Sequence, residues 1–323
     1  MKIALLINRD NFDKYSDWSD TGWELFHMGN AAPDPEKVIA TNADVLVVDA
    51  MMKIGPDIIQ KMPGLKMIHS HGVAFNAIDI ECAKNAGIYV CNNMGVNARP
   101  VAEQTVLLML ALLKNFRCNE EMVYAGRQNE AKTACFTNGI PELFGRSVGI
   151  VGFGAIGRMV ATLLKPFGCE VCYYDIFGDV NESGTVYMPL EELYARCDII
   201  TLHAAVTPAT MNMINEKTLK LLRPGALLIN MARGELVEHN AVVNALKSGQ
   251  LGGFGTDTLA PEPVLPDNPL LCDLPENLRC NVALSPHIGG LSAGAFIRAL
   301  VHIRENIEAV ALGQRPDCVV NGL

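Results

Sequence analysis

An α/β protein with two doubly wound domains is what this sequence of 323 residues predicts, and three observations carry the expectation. Short apolar runs alternate with helical stretches through the first third. A stricter alternation fills the middle. That middle opens on Ser147-Val148-Gly149-Ile150-Val151, which runs straight into Gly152-Phe153-Gly154-Ala155-Ile156-Gly157. Alternating strands and helices imply parallel sheets covered on both faces.

The first third offers strands at Lys2–Ile7, Asp44–Asp49, Leu65–His69 and Ile88–Cys91. Helical or turn-rich segments such as Pro56–Met62 and Ile78–Gly87 separate them. In the middle, Val148–Val151 leads to a helix from Ala155 to about Phe167. Glu170–Tyr174 leads to a short acidic helix near Pro189–Ala195. Asp198–His203 leads to Thr207–Leu222, with Thr207 as N-cap and Pro208 at the first helical position. Ala226–Asn230 leads to Glu235–Ser248, closed by Gly249. Gly253–Thr256 and Asn281–Ser285 complete a six-stranded sheet. The tail from Ser292 to Leu312 reads as one long helix, with Ile297, Leu300, Val301, Ile303, Ile307 and Val310 at helical spacing.

The glycine segment has a physical reading. Gly152 allows the tight turn, and Gly154 lets backbone approach a pyrophosphate. Gly157 lets the helix lie close to the strand. Ala155 and Ile156 open that helix, whose free N–H groups suit a phosphate. Asp175 lies 18 residues past Gly157, at the end of the next apolar run, where it can accept from ribose hydroxyls. The expected organisation is therefore a dinucleotide-binding Rossmann domain over residues 99–290. It is inserted into a flavodoxin-like substrate (catalytic) domain made of 1–98 and 291–323. Ala98–Leu113 and Ser292–Leu312 would be the two crossings, with the active site in the cleft between the domains.

Composition narrows the function classes. Hydrophobic residues make up 50% of the chain, as in a packed globular protein. A net charge of −9 and a pI near 5.3, with no basic cluster, argue against nucleic acid or an anionic membrane as partner. The longest strongly apolar run, Val106–Leu113, is far too short to span a bilayer. Its helix is apolar almost all round, so it should be buried on every side, and an interdomain seam or a subunit interface would serve; a homodimer is expected. The ten cysteines are scattered and the start has no cleavable leader pattern, so reduced thiols in a cytoplasm are expected. Cys169 and Cys172 point to opposite faces of a strand and do not suggest a metal or redox pair. His69 and His71 have no acid or cysteine cluster beside them, and no metal is expected.

Three segments place ionisable residues just past a strand: Asn230-Met231-Ala232-Arg233-Gly234, Asp257 through Pro263, and Ser285-Pro286-His287-Ile288-Gly289-Gly290. Arg233 can fork onto the carboxylate and carbonyl of a 2-keto acid. His287 can give a proton to the carbonyl oxygen as hydride arrives, or remove it in reverse. Glu262 beside that imidazole would hold its orientation. No protein nucleophile is needed, since a nicotinamide cofactor carries the hydride.

Read together, Val96–Glu103, Gly149–Gly157, Met231–Gly234, Asp257–Pro263 and Ser285–Gly290 resemble the D-isomer-specific 2-hydroxyacid dehydrogenase family. That family includes D-lactate, D-3-phosphoglycerate, glyoxylate/hydroxypyruvate and 2-hydroxyisocaproate dehydrogenases. The resemblance implies Arg233, Glu262 and His287 as the substrate-binding and acid/base set. It implies Met231, Ala232 and Asp257 beside the nicotinamide end, with Gly290 closing the cofactor set. It implies NAD rather than NADP, because Asp175 is followed by Ile176, Phe177 and Gly178, with no base to meet a 2′-phosphate. His69–Asp79 resembles the family's substrate-carboxylate loop, giving His71, Gly72 and Val73 as substrate contacts.

The departures concern the substrate. His71, Val73 and Phe75 are bulkier than the usual loop residues. Met51 and Met52 stand where phosphate-handling members tend to carry arginine, though Lys53 follows. His203-Ala204-Ala205 lacks the usual proline–leucine pair, Gln104 replaces a common histidine, and Arg127–Asn138 is unlike the tryptophan-bearing loop of many relatives. These changes leave open a second class of function, an NAD(H)-sensing, corepressor-like binding protein with a dehydrogenase fold. The intact Arg233, Glu262 and His287 favour the enzyme acting on a small 2-keto or 2-hydroxy acid.

Overall fold

The computed structural model describes residues 1–32 and 34–323, and they divide into two compact units. One comprises Met1–Asn97 with Leu291–Leu323, the other Ala98–Gly290.

The first unit is built on five parallel strands: β1 (Lys2–Leu6), β2 (Glu24–His27), β3 (Val45–Val48), β4 (Met67–Ser70) and β5 (Tyr89–Cys91). Their order, β2-β1-β3-β4-β5, is the flavodoxin-like winding. The sequence Val45-Leu46-Val47-Val48 is buried throughout, as a strand covered on both faces must be. β2 was not expected, because Glu24-Leu25-Phe26-His27 lies at the sheet edge and is only half-buried. The helix Ala293–Ala311 covers one face. Ser292 caps it by accepting from Ala295 N–H at 3.1 Å, and Leu300, Ile303, Ile307 and Val310 pack with Leu5 and Val47. Burial of each such side chain contributes about 1.5–3 kcal/mol.

The second unit carries seven parallel strands: β6 (Ser147–Val151), β7 (Glu170–Tyr174), β8 (Val186–Tyr187), β9 (Ile199–Leu202), β10 (Ala226–Asn230), β11 (Leu251–Thr256) and β12 (Val282–Leu284). The order is β12-β11-β10-β9-β6-β7-β8. The chain winds outward from β6 through β7 to β8, then returns to β9 on the other side. That reversal is the switch point at which a doubly wound sheet opens its ligand crevice. The two-residue β8 adds a seventh strand to the six expected.

Four expectations need correction. Thr207–Leu222 is not a helix. Thr207 and Thr210 hold a turn, Asn212 adopts a left-handed φ of 50°, and Ile214 bridges Val237; helix resumes only at Glu216–Leu219, capped by Asn215. Glu235–Ser248 likewise breaks into a short 3-10 turn, Gly234–Leu236, and a helix, His239–Ser248. Within the single chain the helix Ala98–Leu113 is not buried on every side, since Leu107 keeps 55% of its surface. Finally, Cys118 and Cys280 form a disulfide, against the expectation of reduced thiols. The left-handed Asn115 turns the chain into the helix Phe116–Tyr124, and Arg117 donates to Arg279 O at 3.0 Å, bringing the cysteines together.

Cys169 precedes β7 and donates to Leu143 O, while Cys172 lies inside the strand, fully buried. Among the described residues no helix is long and apolar enough to cross a membrane, and no three metal-ligating side chains cluster.

Candidate active site

The carboxyl ends of β6, β9, β10, β11 and β12 lie side by side on one rim of the second sheet. Gly152–Gly157 follows β6, His203 follows β9, Arg233 follows β10, Asp257 and Glu262 follow β11, and His287 follows β12. Strand order thus gathers residues that are up to 135 positions apart in the chain.

The glycine turn shows three different demands. Gly152 has φ 90°, and a side chain there would meet the His203 carbonyl at 2.8 Å. A methyl at Gly157 would lie 2.3 Å from Gly152 O. Gly154, by contrast, faces open space, with nothing within 4 Å. The first two glycines are therefore needed by the fold, and the third keeps a cradle clear at the start of the helix Ala155–Leu164. The first N–H groups of any helix lack internal acceptors, so Ala155, Ile156 and Gly157 present donors there. Asp175 Oδ2 accepts from Phe153 N–H at 2.7 Å and Oδ1 from Phe177 N–H at 3.0 Å, which ties the acid to the turn. Arg158, the nearby base, is paired with Glu182 at 2.7 Å. These residues fit a dinucleotide with a free ribose diol.

His203 is half-buried beside this turn. Its Nε2 pairs with Thr201 Oγ1 at 2.9 Å, its Nδ1 has no partner among the described residues, and desolvation pushes its pKa down to about 3.

At the other end of the rim, Nδ1 of His287 lies 2.6 Å from Glu262 Oε1. His287 has a left-handed φ of 55°, an uncommon backbone state for a residue with a side chain. Asp257 holds it there. His287 N–H donates to Asp257 O at 2.8 Å. The buried Asp257 carboxylate accepts from Ser285 Oγ (2.5 Å), Ile288 N–H (3.0 Å) and Gly289 N–H (2.7 Å). Gln104 donates to Ser285 Oγ at 3.1 Å and so supports this clamp. Gly290 ends the turn.

Arg233 is exposed and its Nη1 donates to Ala232 O at 2.7 Å. Asn230 fixes the turn before it, donating to Arg233 O and accepting from Ala232 N–H. Met231 and Ala232 are buried. A side chain on Gly234 would lie 2.2 Å from Ala260 N, so the chain carrying Arg233 is pressed against the loop carrying Glu262.

Residues 106–289 fit the model of the D-isomer specific 2-hydroxyacid dehydrogenase NAD binding domain. The chain is 32% identical to a glyoxylate reductase of Korarchaeum cryptofilum (strain OPF8), over 99% of this chain and 96% of that protein. The chain belongs to the D-isomer specific 2-hydroxyacid dehydrogenase family. Its fold superposes on D-2-hydroxyisocaproate dehydrogenase with a TM-score of 0.86 at 28% identity, covering both chains in full. A family member from Lactobacillus delbrueckii ssp. bulgaricus, in its NAD complexed form, gives 0.84 at 27% identity, over 99% of this chain and 100% of that one. The protein is an NAD-dependent 2-hydroxyacid dehydrogenase, and its cofactor is NAD.

In the first unit of this dehydrogenase, His71, Gly72 and Val73 follow β4. Gly72 lies against the Ala50 side chain, where a methyl would approach to 2.7 Å. The His71 ring stacks on Phe296, and burial lowers its pKa while Asp49 opposes the shift. His69 is fully buried, and both of its ring nitrogens are engaged by Ser70 O and Asn306, which leaves none for a metal. Met51 is exposed and Met52 is core.

Sequence reasoning missed Asn230, Ser285 and Gln104. Their signal was present: a lone polar residue closes an otherwise apolar strand or interrupts an apolar helix face.

Proposed function

We propose that this dehydrogenase interconverts a small 2-keto acid and its D-2-hydroxy acid, with His287 as acid and base, Glu262 as its orienting partner and Arg233 on the substrate. The observation that carries the reading is the 2.6 Å contact between His287 Nδ1 and Glu262 Oε1. Because the carboxylate accepts from Nδ1, Nε2 is the nitrogen left for the substrate oxygen. In reduction, His287 gives its Nε2 proton to the carbonyl oxygen as C2 becomes an alcohol carbon. In oxidation it takes that proton back. Arg233 forks onto the carboxylate and the carbonyl, orienting and polarising them. Bound NADH supplies the hydride, and NAD accepts it.

In the first unit, the loop His71–Val73 takes part in holding the substrate carboxylate. Val73 N–H and Ala74 N–H have no acceptor among the described residues, and adjacent free amides suit an anion. Gly154, Asp175, Met231, Ala232, Asp257 and Gly290 line the cofactor's length in this reading.

A homodimer is part of the same proposal. Leu107, Phe116, Tyr124 and Phe136 leave apolar surface in water along the helices 98–138, with Phe136 at 91%. Exposed apolar side chains gathered on one stretch favour a covering partner. Sedimentation giving a monomer at micromolar concentration would remove the dimer.

The deciding experiment follows NADH oxidation against glyoxylate, pyruvate, hydroxypyruvate, 2-ketoisocaproate, phenylpyruvate and phosphohydroxypyruvate. Turnover of at least one of them is expected, together with its loss in His287→Ala. Intact NADH binding with no turnover across the panel would sink the proposal in favour of a sensor.

A further inference from the structure

The loop after β4 turns four successive carbonyls inward. His71 O accepts from Asn93 Nδ2 at 2.8 Å and Gly72 O from Asn93 N–H at 2.9 Å. Val73 O accepts from Asn92 Nδ2 at 2.7 Å and Ala74 O from Ser70 Oγ at 2.6 Å. Holding the carbonyls this way fixes the peptide planes, and hence the direction of the Val73 and Ala74 N–H groups.

The grip on Asn93 comes from the helix Ala293–Ala311. Since Asn93 Nδ2 donates to His71 O, its Oδ1 is an acceptor, and His302 Nδ1 lies 2.8 Å from it. His302 Nδ1 therefore carries a proton, and in the neutral ring Nε2 is an acceptor. It faces Asn306 Nδ2 at 3.4 Å. Asn306 is oriented in turn, because its Oδ1 accepts from Asp317 N–H at 2.8 Å. The same amide donates to His69 Nε2 at 3.0 Å, which leaves His69 Nδ1–H to donate to Ser70 O at 2.9 Å. Ser70 Oγ closes the circuit on Ala74 O. The donor directions of Asn93, His302 and His69 are each set by a neighbour, and Asn306 Nδ2 divides its two hydrogens among His69 Nε2, His302 Nε2 and Asp317 O, the last at 3.3 Å.

We propose that His302 and Asn93 are positioning residues for the substrate: through the closed hydrogen-bond circuit with Asn306, His69 and Ser70 they hold the 71–74 loop with its amides set for a carboxylate. The inference rests on the reading that this loop binds substrate. Asn93, Asn306 and His69 are buried, whereas His302 is half-buried on a helix and is the link most open to replacement. Its partner contacts lie in the same unit as the loop, and none touches the glycine turn or the His287–Glu262 pair.

The test compares wild type, His302→Leu and His302→Asn as full chains. Three readouts are taken: amide hydrogen exchange in a peptide spanning residues 70–76, steady-state kinetics on the preferred 2-keto acid, and NADH affinity. His302→Leu should speed exchange in the 70–76 peptide and raise KM roughly 10-fold, with kcat changed by less than about 3-fold and NADH affinity unchanged. His302→Asn places an amide donor near the Nδ1 position and should recover most of both effects. Unchanged exchange in His302→Leu overturns the proposal. So does an equal loss of KM, kcat and NADH affinity in both variants, which is the mark of a merely structural role. Faster exchange with KM unchanged overturns instead the reading of the loop as a substrate contact.

Discussion

His287 and Glu262 meet at 2.6 Å although 25 residues separate them, because the strands that lead to them, β12 and β11, are neighbours. The carboxylate fixes which imidazole nitrogen is free, and in the proposed mechanism it would balance the charge of a protonated His287. Glu262→Gln keeps the shape and removes that balance. We expect kcat to fall by roughly 10²–10³-fold with NADH affinity intact. Steady-state kinetics beside NADH fluorescence titration check this. A Glu262→Gln enzyme with undiminished kcat would remove Glu262 from the catalytic set.

Asp257 acts on the same histidine from behind. Its two oxygens receive Ser285 Oγ, Ile288 N–H and Gly289 N–H, and an amide in its place offers only one acceptor oxygen. Asp257→Asn should cost about 1–3 kcal/mol and loosen a turn that holds His287 in left-handed backbone. The expected result is a Tm lower by a few degrees and kcat lower by at least about 10-fold. A normal Tm with full activity would show that the clamp is dispensable.

Gly154 and Gly157 should part company under the same substitution. A methyl at Gly154 meets no protein atom, so Gly154→Ala should fold with near-normal Tm and bind NADH weakly. A methyl at Gly157 would strike Gly152 O, so Gly157→Ala should lose Tm or soluble yield before binding can be measured. Calorimetry with and without NADH separates the two. Equal Tm losses would mean that the Gly154 cradle is not the cofactor's.

What the sequence disclosed follows from the range of the forces involved. The helix Ala98–Leu113 was readable to the residue because apolar pattern and local backbone preference agree there. Arg233, Glu262 and His287 stood out as candidates because each is an ionisable group soon after an apolar strand, and parallel strand order places them on one rim. The segment Thr207–Leu222 misled because Thr207-Pro208 has the form of a helix start. The competing bonds, Asn212 N–H to Glu235 O and Ile214 N–H to Leu236 O, join positions more than 20 residues apart. The same reason hides the circuit that joins His69 to Asn306, 237 residues on. Local pattern carries no trace of such pairings.

The Cys118–Cys280 bond makes a countable prediction. Eight of the ten cysteines are free, so the denatured protein purified without reductant should titrate eight thiols, and ten after reduction. Linking residues 162 apart should stabilise the second unit by about 2–5 kcal/mol, so Cys118→Ser should lower its Tm. Ten thiols without reductant would return the cysteines to the reduced state expected of a cytoplasmic chain.

Acid should weaken the fold through its buried and half-buried histidines. Burial pushes the pKa of His69 and of His203 down to about 3, and burial also lowers His71 and His239. In the unfolded chain each imidazole binds a proton below about pH 6.5. Between that value and about 3 the unfolded state therefore holds more protons than the folded one. Stability then rises with pH across the window, and it is lost as pH falls through 6.5. Each proton contributes a slope of up to about 1.4 kcal/mol per pH unit. His69→Gln removes one proton from the difference. Its denaturation midpoint at pH 7.5 should be lower than wild type, because the bonds to Ser70 O and Asn306 are lost, yet it should fall less between pH 6.5 and 5. Urea titrations at those three pH values measure both effects. A wild-type midpoint that is flat from pH 6.5 to 5, or a His69→Gln slope equal to wild type, would show that His69 takes up its proton without unfolding.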